Sequence, residues 1–144
     1  MSIGAILKMK GSNLFTIAPE HTVGDVANVL TINKIGAVVV CDTKNKMVGL
    51  VSERDLVEGM SRYGGAVLGM QVRNIMSSKV ISCKASDSVK QAQELMNSKR
   101  IRHLPVLNGD ELVGVISIRD VVAYMLQVTQ MEAGVLRDYA IATR

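Results

Sequence analysis

Ser52-Glu53-Arg54-Asp55 and Ser117-Ile118-Arg119-Asp120 each place a hydroxyl, a guanidinium and a carboxylate within four residues, twice in one chain. A carboxylate is the most direct group for holding the two adjacent hydroxyls of a ribose, because it accepts both hydrogen bonds. Asp55 and Asp120 are the candidates for that task. Each Ser sits where an apolar strand gives way to a helix, and there the free backbone N–H groups and the positive end of the helix dipole favour a phosphate or a polar ligand edge. Arg54 and Arg119 add a fixed positive charge and a planar fork suited to phosphate. The same Ser-x-x-Asp spacing is also a helix cap, with Ser accepting from the backbone and an acidic group in the first turn. Cap and ligand site are compatible if they use different lone pairs.

The tetrads lie inside a longer repetition. Gly49-Leu50-Val51-Ser52-Glu53-Arg54-Asp55-Leu56 is rewritten as Gly114-Val115-Ile116-Ser117-Ile118-Arg119-Asp120-Val121. Upstream, Thr22-Val23 and Val38-Val39-Val40 match Ser88-Val89 and Leu104-Pro105-Val106, and Ile35 matches Ile101. The register slips by one residue between Cys41 to Lys46 and Leu107 to Glu111, where a turn tolerates it. Ile3, Ile6 and Leu7 echo Val72, Ile75 and Met76. Such duplication implies two half-cores that bury their apolar faces against each other. In sequence order, residues 1–66 form the first repeat with an N-terminal segment, 67–126 the second, and 127–144 a C-terminal helix.

The elements that position the tetrads follow in one order, twice. Leu14 to Ile17 reads as a short strand, and Thr22 with Asp25 opens a helix carrying Val23, Val26, Ala27 and Leu30. Ala37 to Cys41 is a strand buried on both faces, and Met47 to Val51 a second strand after a polar turn. Ser52 then caps a helix that fades by Gly64-Gly65. In the second half Val80 to Cys83, Leu104 to Leu107 and Leu112 to Ile116 read as strands, Ser88 with Gln91 opens a helix, and Ser117 opens the closing one. From Gln127 to Ala142 an amphipathic helix, continuing or separate, carries Met131, Val135, Leu136 and Tyr139. Its apolar stripe would pack either on the module's own flank or against a second subunit, and the second is favoured because small modules bury leftover faces by dimerising, which gives a homodimer.

Composition narrows the class. With 144 residues, 48% of them hydrophobic, the chain can build one compact domain or two interlocked subdomains. Aromatics at 3% and no Trp leave a core of Val, Ile, Leu, Met and Ala, a poor basis for an aromatic nucleic-acid platform. The net charge of +4 comes from scattered Lys and Arg, which argues against nucleic acid and reserves the positive charge for a phosphate-bearing ligand. Cys41 and Cys83 lack CxxC spacing and read as buried reduced thiols, consistent with a cytoplasmic protein. The N-terminal apolar run is too short for a signal peptide, and nothing reaches the length of a membrane span. Two histidines, His21 and His103, are too few and too distant for an obvious zinc site. No nucleophile elbow, glycine-rich phosphate loop or paired carboxylates are present, so no catalysis is expected.

The strand-helix-strand-strand-helix unit ending in Gly-hydrophobic-hydrophobic-Ser-x-Arg-Asp resembles the cystathionine-beta-synthase (CBS) domain, and two in tandem resemble the CBS pair, or Bateman module. The resemblance runs from about Ile3 to about Leu126 and includes Val72 to Met76 and Arg100-Ile101-Arg102-His103-Leu104-Pro105-Val106. It implies an α/β (α+β) fold of two repeats, each a small three-stranded sheet with two helices, packed about a pseudo-twofold axis. Two clefts would then hold adenosine-containing ligands such as AMP, ADP, ATP, S-adenosylmethionine, NAD or NADH. The central strand would face the phosphates. There the first repeat offers only Gly36-Ala37 where the second has Arg102-His103. Phosphate contacts are accordingly expected from Arg102 and His103, with Lys79 outlying and Pro105 in the cleft wall, while Gly36 would admit the ligand close to the backbone. The implied function is a stand-alone regulatory module that senses energy or redox state and acts on a separate protein. The alternative is an interaction scaffold with vestigial clefts.

Overall fold

The computed structural model describes residues 1–11 and 13–143. The order of elements is α1 (Ile3–Lys10), β1 (Thr16–Ile17), α2 (Val23–Asn33), β2 (Ala37–Cys41), β3 (Met47–Ser52) and α3 (Glu53–Tyr63). Two 3-10 turns follow at Gly64–Gly69 and Val72–Asn74, then α4 (Val89–Lys99), β4 (His103–Asn108), β5 (Glu111–Ser117) and α5 (Ile118–Ala142). Four helices open on the reciprocal caps expected from their sequences: Thr22 with Asp25, Ser52 with Asp55, Ser88 with Gln91, and Ser117 with Asp120. α2 and α4 end on left-handed residues that are not glycine, Lys34 (φ 53°) and Arg100 (φ 55°). In each case the reversed turn delivers a cationic residue to the start of the next strand.

The first sheet has the order β1-β2-β3, with β1 parallel and β3 antiparallel to the fully buried β2. The second pairs β4 with β5 antiparallel. Its expected third strand, Val80 to Cys83, contributes a single parallel bridge from Cys83 to Val106, the counterpart of Ile17 to Val40. Pro105 explains the shortening. The backbone N–H of Cys83 donates to the Pro105 carbonyl at 3.0 Å and that of Leu107 to the Cys83 carbonyl at 2.9 Å. The preceding rung would need an N–H from residue 105, which proline lacks.

The two cores exchange their leading segments. Ile3 and Ile6 are fully buried in the second core with Val89, Leu104, Val106, Ile116 and Val121, whereas Val72 is buried in the first with Ile17, Val26, Leu30, Val38 and Val51. The backbone repeats the exchange bond for bond: Ile3 N–H donates to the Asp87 carbonyl as Val72 N–H does to His21, and Val89 N–H donates to Met1 as Val23 N–H does to Met70. Side chains follow suit. A Cβ on Gly49 would lie 2.5 Å from Met76 Sδ, and one on Gly114 would lie 2.7 Å from Leu7 Cδ2. Packing units therefore differ from the sequence-order repeats 1–66 and 67–126, because the apolar spacing of α1 marks it as a core helix without saying whose core.

The C-terminal segment continues α5 as one helix of 25 residues, so no break separates it from the second repeat. Val121 is buried, but Val122, Leu126, Met131, Val135, Leu136 and Tyr139 are exposed. Among the described residues no helix is long and apolar enough to cross a membrane. Cys41 and Cys83 are both buried and unpaired, and burial pushes the Cys83 thiol up to about 12.

Candidate functional site

Two clefts open between the repeats, each walled by a capped helix start from one repeat and the strand entry of the other. The first, of about 530 Å³, is lined by Ser52, Arg54 and Asp55, by Ser77 to Ile81 in part, and by Arg100 to His103. The second, of about 680 Å³, is lined by Ser117, Arg119 and Asp120, by Asn13 to Phe15, by Lys34 to Ala37, and also by Lys10. Gly36, Glu53, Arg102 and His103 border both, which places them where the two clefts meet.

In the first cleft, Asp55 Oδ2 accepts from the Ser52 backbone N–H at 2.8 Å and from the Ser52 hydroxyl at 3.2 Å. Its Oδ1 has no protein partner among the described residues. The cap and a free carboxylate oxygen thus coexist on one side chain. Arg54 leans away to Glu58 at 3.3 Å and is largely exposed. Lys79, Arg100 and Arg102 make no ion pair among the described residues. Leu50, Val80, Ile81 and Ile101 supply apolar wall beside them.

The second cleft has the same cap but a different electrostatic state. Asp120 Oδ2 accepts from the Ser117 backbone N–H at 2.8 Å and also from Lys10 Nζ at 2.8 Å. Lys10 Nζ donates further to the Val115 carbonyl at 2.7 Å. At the corresponding place in the first repeat, Leu50 instead exchanges two backbone hydrogen bonds of 2.9 Å with Ser77. The difference follows from secondary structure. α1 stays helical through Lys10, so its side chain reaches the strand edge that the backbone of Ser77 reaches in the other half.

At the meeting of the clefts, His103 fills the space that a side chain on Gly36 would need: a Cβ there would lie 3.0 Å from His103 Nε2. The absence of a side chain on Gly36 leaves room for the imidazole, and its backbone borders both clefts. Burial, followed by the charge of Lys10, holds the His103 pKa below its usual 6.5, with Asp120 and Glu53 opposing and Arg102 adding to the depression. A ring held neutral stabilises the fold fully above the unfolded-state value of 6.5, and that stability is lost as pH falls below it towards the folded-state value. Wild-type unfolding free energy in urea is expected to drop more steeply between about pH 7.5 and 5.5 than that of His103→Gln. Identical slopes would exclude His103 as the titrating group.

A family model described as CBS domain matches residues 6–62 and again 72–127, more than three quarters of the chain. The chain belongs to the CBS-domain family. A solved CBS-domain protein from Agrobacterium tumefaciens, ATU1752, is 37% identical, with 85% of this chain and 91% of that one aligned at a TM-score of 0.82. CBSX2, solved in complex with AMP, is 24% identical over 89% of this chain and 98% of that one, at a TM-score of 0.73. A Thermofilum pendens protein described only as an uncharacterized 33.4 kDa protein in a ribosomal RNA operon is 34% identical over 70% of this chain, which spans a third of that relative's length.

In this CBS pair the two tetrads stand at opposite clefts, so Ser52 and Asp55 share a wall with Arg102, His103 and Lys79, and Ser117, Arg119 and Asp120 with Gly36 and Ala37. Pro105 lines neither cleft; it is buried in β4 opposite Val115, where its missing N–H trims the third strand. Among the charged lining residues, four are not singled out by the sequence reading: Lys10, Lys34, Glu53 and Arg100. Lys34 and Arg100 occupy matching places one residue before Ile35 and Ile101, so a cation in the same position of both copies was the available signal. Among the described residues no cluster of three His, Cys, Asp or Glu has metal-site geometry.

Proposed function

We propose that this CBS pair is a regulatory module that binds an adenine nucleotide (AMP, ADP, ATP, NAD or NADH) between its repeats and changes its association with a separate protein. One observation carries the proposal: Asp55 leaves Oδ1 open at the wall of a 530 Å³ cleft whose other cationic residues, Lys79, Arg100 and Arg102, are unpaired among the described residues. A diol acceptor, apolar wall for a base and positive charge for phosphate fit the three parts of such a ligand. AMP in CBSX2, a neighbour of the same fold, supports the ligand class. Binding switches the module only as far as the ligand prefers one arrangement of the repeats, typically by about 1–3 kcal/mol.

The exposed apolar face of α5 supports a second copy of the chain as its cover, measurable as a dimeric mass by light scattering. Thermal unfolding at fixed ionic strength, with AMP, ADP, ATP, NAD, NADH and S-adenosylmethionine beside GMP, tests the ligand class. At a hundredfold excess over Kd a true ligand adds about 2.7 kcal/mol, which raises Tm by about 5–10 °C. No shift with any adenine ligand, in folded protein free of bound nucleotide, favours the alternative of a scaffold whose Ser-Asp pairs act only as helix caps.

A further inference from the structure

We propose that Lys10 is a built-in occupant of the second cleft, which withholds Asp120 from a ribose and leaves this chain with one nucleotide site, in the first cleft. The inference rests on the nucleotide-binding reading of the clefts and assigns them unequal roles. A carboxylate oxygen offers about two lone-pair sites. Both on Asp120 Oδ2 are taken by N–H donors: the Ser117 backbone at 2.8 Å and the Lys10 ammonium at 2.8 Å. With Oδ2 filled, a diol reaches only Oδ1, and a grip that spreads the two hydroxyls over both carboxylate oxygens is lost. On Asp55 Oδ2 the second site is taken by the Ser52 hydroxyl, at the longer distance of 3.2 Å. A hydroxyl rotor can turn away when a ligand arrives, whereas the Lys10 ammonium cannot leave without abandoning the Val115 carbonyl as well.

The ion pair is also sheltered: the side chains of Lys10 and Asp120 are 33% and 19% exposed. The positions of α1 and of the segment after the 3-10 turns are equivalent by packing, with Leu7 against Gly114 and Met76 against Gly49. Counting three residues on from each gives Lys10 and Lys79. Lys79 is exposed in its cleft and bonded to nothing among the described residues. The chain has therefore placed a lysine at each cleft and locked only one of them onto the ribose-binding carboxylate.

Isothermal titration of the full chain with AMP, ATP and NADH in turn, for wild type, Lys10→Met and Lys10→Arg, tests the assignment. Wild type and Lys10→Arg are expected to bind one nucleotide per chain, and that site is lost in Asp55→Ala. Lys10→Met is expected to bind two, the second at least tenfold weaker without the Asp120 carboxylate, in Lys10→Met/Asp120→Ala. Unfolding temperature is recorded for each variant, and Lys10→Gln substitutes for any Met variant that fails to fold. A wild-type site abolished by Asp55→Ala with no second site in Lys10→Met or Lys10→Gln overturns the role of Lys10 alone. Two sites in the wild type, one of them weakened by Lys10→Met, overturn it in favour of Lys10 as a ligand contact. Failure of every variant to bind any of the three overturns the nucleotide reading and this inference together.

Discussion

Ile6→Ala is expected to destabilise the protein by about 2–5 kcal/mol, the range for truncating a fully buried aliphatic side chain. Ile6 has no exposed surface and packs into the second core, beside residues more than seventy-five positions away in sequence. At this size 1 kcal/mol corresponds to roughly 2–4 °C in Tm, so a fall of about 4–20 °C is expected. Against a typical total of about 5–15 kcal/mol, that is a large fraction. The result discriminates between two pictures of the N-terminus. An α1 that merely decorated the first repeat would give a change of about 0.5 kcal/mol or less, as surface positions do. Val72→Ala makes the mirror test, because Val72 is equally buried in the first core. Its loss, from a smaller side chain, is expected to be correspondingly smaller.

Asp55→Ala is expected to weaken AMP binding by about 100-fold, near 2.7 kcal/mol, while the protein stays folded. The figure follows from losing a carboxylate that accepts two ribose hydroxyls, where hydrogen bonds to a charged group contribute about 1.5–3 kcal/mol each. Part of that loss is offset when water fills the space. Folding loses only the cap, about 1 kcal/mol, since Ser52 keeps its own side chain at the helix start. Asp55→Asn retains one acceptor oxygen and is expected to fall between wild type and the Ala variant. Unchanged affinity in Asp55→Ala, measured by titration in protein with a cooperative unfolding transition, would remove the ribose role and leave the cap as the residue's whole purpose.

Local signals in the chain translated into structure wherever a residue's role depends on its near neighbours. All four reciprocal caps form where Thr or Ser stands three residues before Asp or Gln, because both partners of each bond lie within one turn. The buried run Ala37 to Cys41 became the central strand for the same reason. Roles set by distant partners were illegible for a different reason. Pro105 reads as part of a motif phrase, but its effect lies on the segment before Cys83, where the Ile81 carbonyl would need the N–H that proline lacks. α1 and the Val72 segment look like introductions to their own repeats, and apolar spacing is blind to the choice between two near-identical cores. Lys10 is the sharpest case: nothing local to Met9-Lys10-Gly11 points to a carboxylate one hundred and ten positions on. The tetrads themselves were legible as chemistry, and the inequality between them was not, because it arises from where an N-terminal helix happens to end.

The exchange of leading segments has a consequence for synthesis. α1 leaves the ribosome before the other elements of the two cores, yet its partners in the second core run from Cys83 to Val121 and emerge much later. At about 5–20 residues per second, the apolar face of Ile3 and Ile6 waits for about 5–25 s with no native surface to cover it. The Val72 segment faces no such delay, since the first core is already complete when it emerges. Translation therefore finishes the first core well before the second, and segments made long after α1 are what finally sequester it.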